Sequence, residues 1–353
     1  MSTELPAFPA DVKTHPLLVI DYQLLREADE SEIDRLWEAA TKLGFWYLKN
    51  HGAEEHATKM FAMGADVMAL PLEEKMRYEQ GDDGVSFGYK AAGANAVNAS
   101  GELDTVEFLN IAKDDVLAWP KHVRREYPQL VGTYMEPTII PFVKHSLEVN
   151  NTILDIFNER LGLPVGSLRE CHKKDEFSGS EARLIRNRIT DSTSKTAIGA
   201  HTDFGSLSFL HNRLGGLQVL PPGSEDWQYI KPIRNHAICN VGDALAILSG
   251  GILRSNIHRV LPPPGPQAGL ERWSLVFFTR PGNSVVLSPL SDASSKIATA
   301  IKNAPESVSH IQGGGSTSLE WFSRRIRNQR IANRKGPETW LASRGTEAVE
   351  TSA

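Results

Sequence analysis

Apolar and polar positions along the chain fall into two textures. In the first half, helical spacing alternates with short runs. Leu17, Leu18, Val19 and Ile20 form an apolar run of strand length. After Ser31, a side chain suited to an N-cap, Ile33, Leu36, Trp37, Ala40 and Leu43 recur at helical intervals, and Gly44 ends the pattern. Phe45-Trp46-Tyr47-Leu48 reads as a strand stopped by Asn50-His51-Gly52. A second helix is expected over 55–68, then a turn at 71–75. The Gly-, Ala- and Asn-rich stretch 81–100 reads as loop. Beyond Pro137 and Pro141, the positions Val143, Leu147, Leu154, Phe157 and Leu161 mark a longer helix, closed by Gly162 and Pro164.

From about Arg183 the texture changes. Short strands are expected at 182–189, 197–203, 207–210, 217–220, 228–230, 237–241, 245–248, 256–261 and 273–279. Gly, Pro and Asn turns separate them too closely for βαβ units, so the pattern predicts a sandwich or barrel. The fold class expected is mainly β with flanking helices (α+β). Three regions are expected: a helix and strand region at 1–175, a β core at 176–300, and a C-terminal helix with a polar tail at 301–353. The last region holds a basic helix over 318–333, after Gly313-Gly314-Gly315. Arg324, Arg325, Arg327, Arg330, Arg334 and Lys335 run through it with no acid between. They read as a solvated face, with Trp321, Phe322 and Ile326 packing on the barrel.

Composition narrows the class. The 353 residues carry 38 Lys and Arg against 43 Asp and Glu, a net charge of −5. That is too mild to suggest a nucleic-acid or membrane partner. No run approaches the ~20 apolar residues of a membrane span, and the N-terminal segment has no apolar stretch of signal-peptide type. Cys171 and Cys239 are too few for a disulfide framework. A soluble, cytoplasmic protein is the expectation.

The informative stretch is Ala200-His201-Thr202-Asp203-Phe204-Gly205. In a strand, residues i and i+2 share a face roughly 6.5 Å apart, so an imidazole and a carboxylate there can reach one divalent ion. One further ligand would complete a two-His-one-carboxylate site with open positions. Alone this means little, because about one His-x-acid triplet arises by chance in such a chain. His258, in a strand-like run closed by Pro262-Pro263-Pro264, is a candidate third ligand; spacing alone does not choose it over His211 or His236. Arg272 and Ser274 share a strand face by the same i, i+2 rule. A guanidinium forks onto a carboxylate, and a neighbouring hydroxyl can add a bond.

His201-Thr202-Asp203-Phe204-Gly205-Ser206-Leu207, the later His258-Arg259-Val260, and Arg272-Trp273-Ser274-Leu275-Val276-Phe277-Phe278 resemble the signatures of the 2-oxoglutarate/Fe(II)-dependent dioxygenases. The branch resembled is the isopenicillin N synthase-like one, of fungal secondary-metabolism type. Further blocks match in order: 43–52, 70–75, Gly88-Tyr89-Lys90, 215–219 and 240–243, so the resemblance covers nearly the whole chain. It implies a double-stranded β-helix (jelly roll) core with supporting helices. It also implies Fe(II) bound by His201, Asp203 and His258, with 2-oxoglutarate and O2 as co-substrates, and Arg272 and Ser274 anchoring the far carboxylate of 2-oxoglutarate. Asn187 stands where the family usually has a tyrosine that helps hold the co-substrate. His211 and His236 then take structural or pocket-lining roles.

The activity implied is oxidation of a C–H bond in a small natural product, giving hydroxylation, desaturation or ring rearrangement with succinate and CO2. Two other readings suit the same residues: an iron oxidase of this fold that needs no 2-oxoglutarate, and a non-catalytic ligand-binding module. Phe108, Asn110, Phe204, Phe209 and Phe277 are candidates for the substrate pocket. Trp321 and Phe322 are candidates for a C-terminal cover over its mouth.

Overall fold

The computed structural model describes residues 5–188, 196–304 and 315–346. Its strands are β1 (Val19–Asp21), β2 (Phe45–Lys49), β3 (Gly88–Lys90), β4 (Val106–Ala112), β5 (Glu181–Asn187) and β6 (Ile198–His201). Then follow β7 (Leu207–Asn212), β8 (Leu217–Val219), β9 (Gln228–Tyr229), β10 (Ala237–Val241), β11 (His258–Val260) and β12 (Arg272–Thr279). They form an eight-stranded sheet, β1-β2-β10-β7-β12-β5-β4-β3, and a four-stranded sheet, β6-β11-β8-β9. Neighbours run antiparallel except β1 and β2. The core is a jelly roll, as the sequence implied.

Strand periodicity decides what each side chain meets, because successive residues face opposite sides of a sheet. Phe45, Tyr47, Val106, Phe108, Ile185 and Val276 of the large sheet share a cluster with Leu217, Val219 and Val260 of the small one. The alternate residues Trp46, Leu48, Leu184, Phe209, Leu275 and Phe277 turn the other way. They pack on the helices Glu54–Ala69 and Ile140–Arg160 through Met60, Phe142, Ile153 and Phe157. Each fully buried apolar side chain of this size contributes roughly 1.5–3 kcal/mol. The helix layer therefore holds the large sheet rigid, and its inner face is left to line a cavity.

The first long helix spans Glu30–Lys42, and its cap is Asp29 rather than Ser31: the Asp29 carboxylate accepts from the Glu32 amide at 2.8 Å. Gly44 ends it in the left-handed region, φ +79, where a Cβ would lie 2.0 Å from the Arg254 carbonyl oxygen. Leu245 to Leu248, expected as a strand, belong to the helix Asp243–Leu248. All six of its residues are buried, so the run lacks a polar face and its periodicity is mute. Residues 72–76 form a short helix instead of a turn. β3 interrupts the expected loop, and β4 escaped the sequence reading because every residue in it is buried and no alternation shows. The expected strand at 182–189 is β5, and Ile189 lies outside the described residues.

Candidate active site

The end of β6 and the start of β11 bring His201 and His258 directly opposite each other. Their ring centroids are 4.3 Å apart. Asp203, just past β6, places Oδ1 at 3.8 Å from the Nε2 atoms of both. The three donor atoms lie within 4.8 Å of one another, and no other such His, Cys, Asp or Glu group occurs among the described residues. His211 sits instead on the helix side against Phe209 and His51, and His236 packs beside Tyr47.

The remaining polar atoms of the triad are already committed. His201 Nδ1 donates to the Gly199 carbonyl at 2.7 Å, and His258 Nδ1 donates to the Asn256 carbonyl at 3.2 Å. A carbonyl only accepts, so each ring carries a proton on Nδ1 and turns Nε2 to the site. Asp203 Oδ2 accepts from Ser208 Oγ at 2.5 Å and from Asn240 Nδ2 at 2.7 Å, which leaves Oδ1 to point at the histidines. Burial and the neighbouring His258 ring push His201 down to about 3. Burial opposes the charge on Asp203, but the two imidazoles and the bonds from Asn240 and Ser208 hold its carboxyl down at about 2. Two imidazoles turning Nε2 inward and one carboxylate form a donor set suited to a divalent transition metal.

The same cavity wall carries Arg272, 3% exposed. Its Nε donates to the Gly215 carbonyl and its Nη1 to Ser274 Oγ, both at 2.7 Å. Gly216, at φ +113, makes room, since a Cβ there would lie 3.2 Å from Arg272 Nε. Burial alone pulls the guanidinium down to about 10, with no carboxylate among the described residues to offset its charge. Leaving a buried cation unpaired is costly. The site is built for an anion. Across the β5–β12 ladder, Asn187 stands opposite Arg272 and accepts from Thr105 Oγ1 at 2.9 Å.

Two family models match the chain: the 2OG-Fe(II) oxygenase superfamily over residues 181–281, and the N-terminal model described as non-haem dioxygenase in morphine synthesis over 17–131. A leucoanthocyanidin dioxygenase of Malus domestica is 30% identical over 293 residues, covering 79% of this chain and 76% of its own length. The chain belongs to the 2-oxoglutarate/Fe(II) oxygenase superfamily. A 2-oxoglutarate-dependent dioxygenase of Gibberella zeae is 29% identical over 286 residues, covering 79% of this oxygenase and 83% of the relative. Among solved structures, a full-length Neurospora crassa protein in complex with alpha-KG superimposes with a TM-score of 0.70 at 23% identity, over 92% of this chain and 99% of that one. The protein is thus a 2-oxoglutarate-dependent oxidoreductase that uses Fe(II), 2-oxoglutarate and O2 and acts on small substrates. No described helix is long and apolar enough to cross a membrane.

The oxygenase places its expected pocket residues unequally. Phe108 and Phe204 line the cavity. Phe209 and Phe277 do not: both face the helices, and their strand neighbours Ser208, Leu210, Val276 and Phe278 face inward. Asn110 is fully buried and does not line the cavity, its Oδ1 accepting from Arg183 Nε at 2.8 Å. Trp321 packs on Ala244, Ile247 and Leu287, and Phe322 meets Phe204 edge-on; neither reaches the cavity. The C-terminal contribution comes instead from Ile326, Gln329, Trp340, Ser343 and Arg344.

The basic run is solvated only in part: Arg327 and Lys335 are exposed, and the other members are partly or fully buried. Arg325 is fully buried, pairing with Asp243 and donating to the Thr202 carbonyl at 3.0 Å and the Ser343 carbonyl at 3.3 Å. Arg330 bridges Glu79 and Asp82 at 2.6 Å each. Arg327 reaches the Asp83 carbonyl, and Arg334 the Asn98 carbonyl. The helix crosses a loop rich in acids and open carbonyls, which draws the arginines inward. Of the cavity residues missed in the sequence, Phe278 was within reach: it follows by strand parity from Ser274.

Proposed function

We propose that His201, Asp203 and His258 hold Fe(II), and that Arg272 with Ser274 binds the distal carboxylate of 2-oxoglutarate. In this reading the enzyme oxidises a C–H bond of a small natural product. The observation that carries it is Arg272: a buried guanidinium, free of acidic partners among the described residues, on the wall of the cavity that holds the triad. The substrate class follows the relatives, one of them a leucoanthocyanidin dioxygenase.

When bound, iron and 2-oxoglutarate supply an oxidant derived from O2, with 2-oxoglutarate leaving as succinate and CO2. The chain's own part is positional. Gly199 and Asn256 carbonyls fix the histidine tautomers, while Ser208 and Asn240 aim Asp203 Oδ1. Phe45 sets its ring edge-on to His258 at 5.3 Å and restricts where a substrate carbon can stand. Asn187, its Oδ1 engaged by Thr105, offers its amide nitrogen to the co-substrate beside Arg272. Ile326 and Trp340 close the cavity on the C-terminal side and keep water from the reacting carbon.

Arg272→Gln tests this. Bonds to a charged group are worth about 1.5–3 kcal/mol, so 2-oxoglutarate should bind at least ~10-fold more weakly in an anaerobic titration while iron content stays unchanged. Lysine should substitute poorly, offering a point charge without the fork. Unaltered 2-oxoglutarate affinity in Arg272→Gln would overturn the assignment.

A further inference from the structure

We propose that the substrate this oxygenase accepts is an aromatic or similarly planar carboxylic acid, its carboxylate held by Arg183 and its apolar body lying over Val276 and Leu210 of the cavity wall. The assignment rests on the placement of 2-oxoglutarate at Arg272 and goes beyond it to a second anion subsite.

Charge balance on the cavity wall points there. Arg183 and Arg280 both line the cavity and share one carboxylate: Glu181 Oε1 accepts from Arg183 Nη2 at 2.8 Å and from Arg280 Nη2 at 3.2 Å. Lys90 is matched by Asp104. Arg344 keeps its charge on the C-terminal side of the cavity, donating to the Ala200 carbonyl and stacking on Trp340. With Asp203 committed to metal and Arg272 to 2-oxoglutarate, the arginine pair keeps one uncompensated positive charge. Arg183 is the member able to use it. Its Nε donates to Asn110 Oδ1 and its Nη2 to Glu181 and Ser86, which leaves Nη1 without a partner among the described residues.

The surroundings specify the rest of the ligand. The Arg183 guanidinium lies 4.3 Å from the Phe108 ring centroid and 5.0 Å from that of Phe278, while Arg280 lies 4.9 Å from the same Phe278 ring. Stacked on these two phenyl rings, the cation is fixed at one end of an apolar wall, where Val276 and Leu210 continue its row of the sheet. That wall adjoins the triad. Phe278 is in register with Ser208, the residue that aims Asp203, and Arg183 stands two strands across from Leu210 in the next row. Two strand spacings are about 10 Å, a span that one or two fused rings fill. Arg183 is not a second grip on 2-oxoglutarate: it lies four residues along β5 from Asn187, the partner of Arg272, or about 13 Å.

The test uses protein loaded with zinc(II) and 2-oxoglutarate, so that nothing turns over. Cinnamate, 3-phenylpropanoate and 2-naphthoate are compared with their methyl esters by ligand-observed NMR. The acids should bind at least ~10-fold more tightly than the esters. Arg183→Gln should abolish that preference, Arg183→Lys should restore part of it, and 2-oxoglutarate affinity should be unchanged in both. Esters that match the acids, a preference that survives Arg183→Gln, a joint loss of 2-oxoglutarate affinity, or no binding by any of the acids would each overturn the proposal. Failure of the underlying reading shows separately, as unaltered 2-oxoglutarate affinity in Arg272→Gln.

Discussion

Arg325→Met should loosen the metal site from a distance. The guanidinium and Asp243 are both fully buried and form an ion pair, and Arg325 also donates to the carbonyl of Thr202, the residue between two triad members. Its planar face lies 3.8 Å from the Phe204 ring centroid. Methionine keeps much of the volume but strands Asp243. Breaking a buried pair from one side costs about 3–5 kcal/mol. The lower end applies here, because the hydroxyls of Thr202 and Thr346 still donate to Asp243 at 2.9 and 2.6 Å. For a chain of this size a loss of ~3 kcal/mol lowers the melting midpoint by roughly 4 °C. Calorimetry measures that shift, and limited proteolysis should release the C-terminal segment sooner than in the parent. Arg325→Met combined with Asp243→Asn should cost less than the two single changes added, since the stranded charge is gone. A midpoint within ~1 °C of the parent, with unchanged proteolysis, would refute the reasoning.

The triad was legible in the sequence because its geometry is local. His201 ends β6 with Asp203 two residues on, Arg272 and Ser274 share a face of β12, and the family motifs chose His258. Parity carried further than it was taken: with Ser274 inside, Phe278 had to line the cavity and Phe277 had to face the helices. Arg183 and Arg325 were not legible. Arg183 gains its meaning from pairing with Glu181 and Asn110 in the β4–β5–β12 register, and Arg325 from Asp243, 82 positions earlier in the chain. Such partners follow from tertiary contact and leave no mark on local hydrophobic pattern. The helix at Asp243–Leu248 was lost for a different reason: burial on every side erases the period that separates helix from strand.

Two further outcomes follow. Asn240→Ala removes one of the two donors to Asp203 Oδ2 and should weaken iron binding about 10- to 100-fold with the fold retained, which a competition titration against a chelator would show. His172 is held neutral: burial pulls it down to about 4, its Nδ1 donates to the Leu168 carbonyl, and its Nε2 accepts from Ser206. A folded-state value below the unfolded one, near 6.5, means the unfolded chain takes up the proton first. This contribution to stability is therefore complete above pH 6.5 and is lost as pH falls towards 4. The melting midpoint should drop across that window, less steeply in His172→Gln; equal slopes would count against the assignment.

His201, Asp203 and His258 should together hold the iron this oxygenase uses. Iron per chain can be measured after anaerobic loading and gel filtration of the parent protein and of folded His258→Ala. The parent should carry one iron and the variant far less, with 2-oxoglutarate-dependent succinate formation lost alongside it. A full complement of iron in His258→Ala, with succinate still formed, would contradict it.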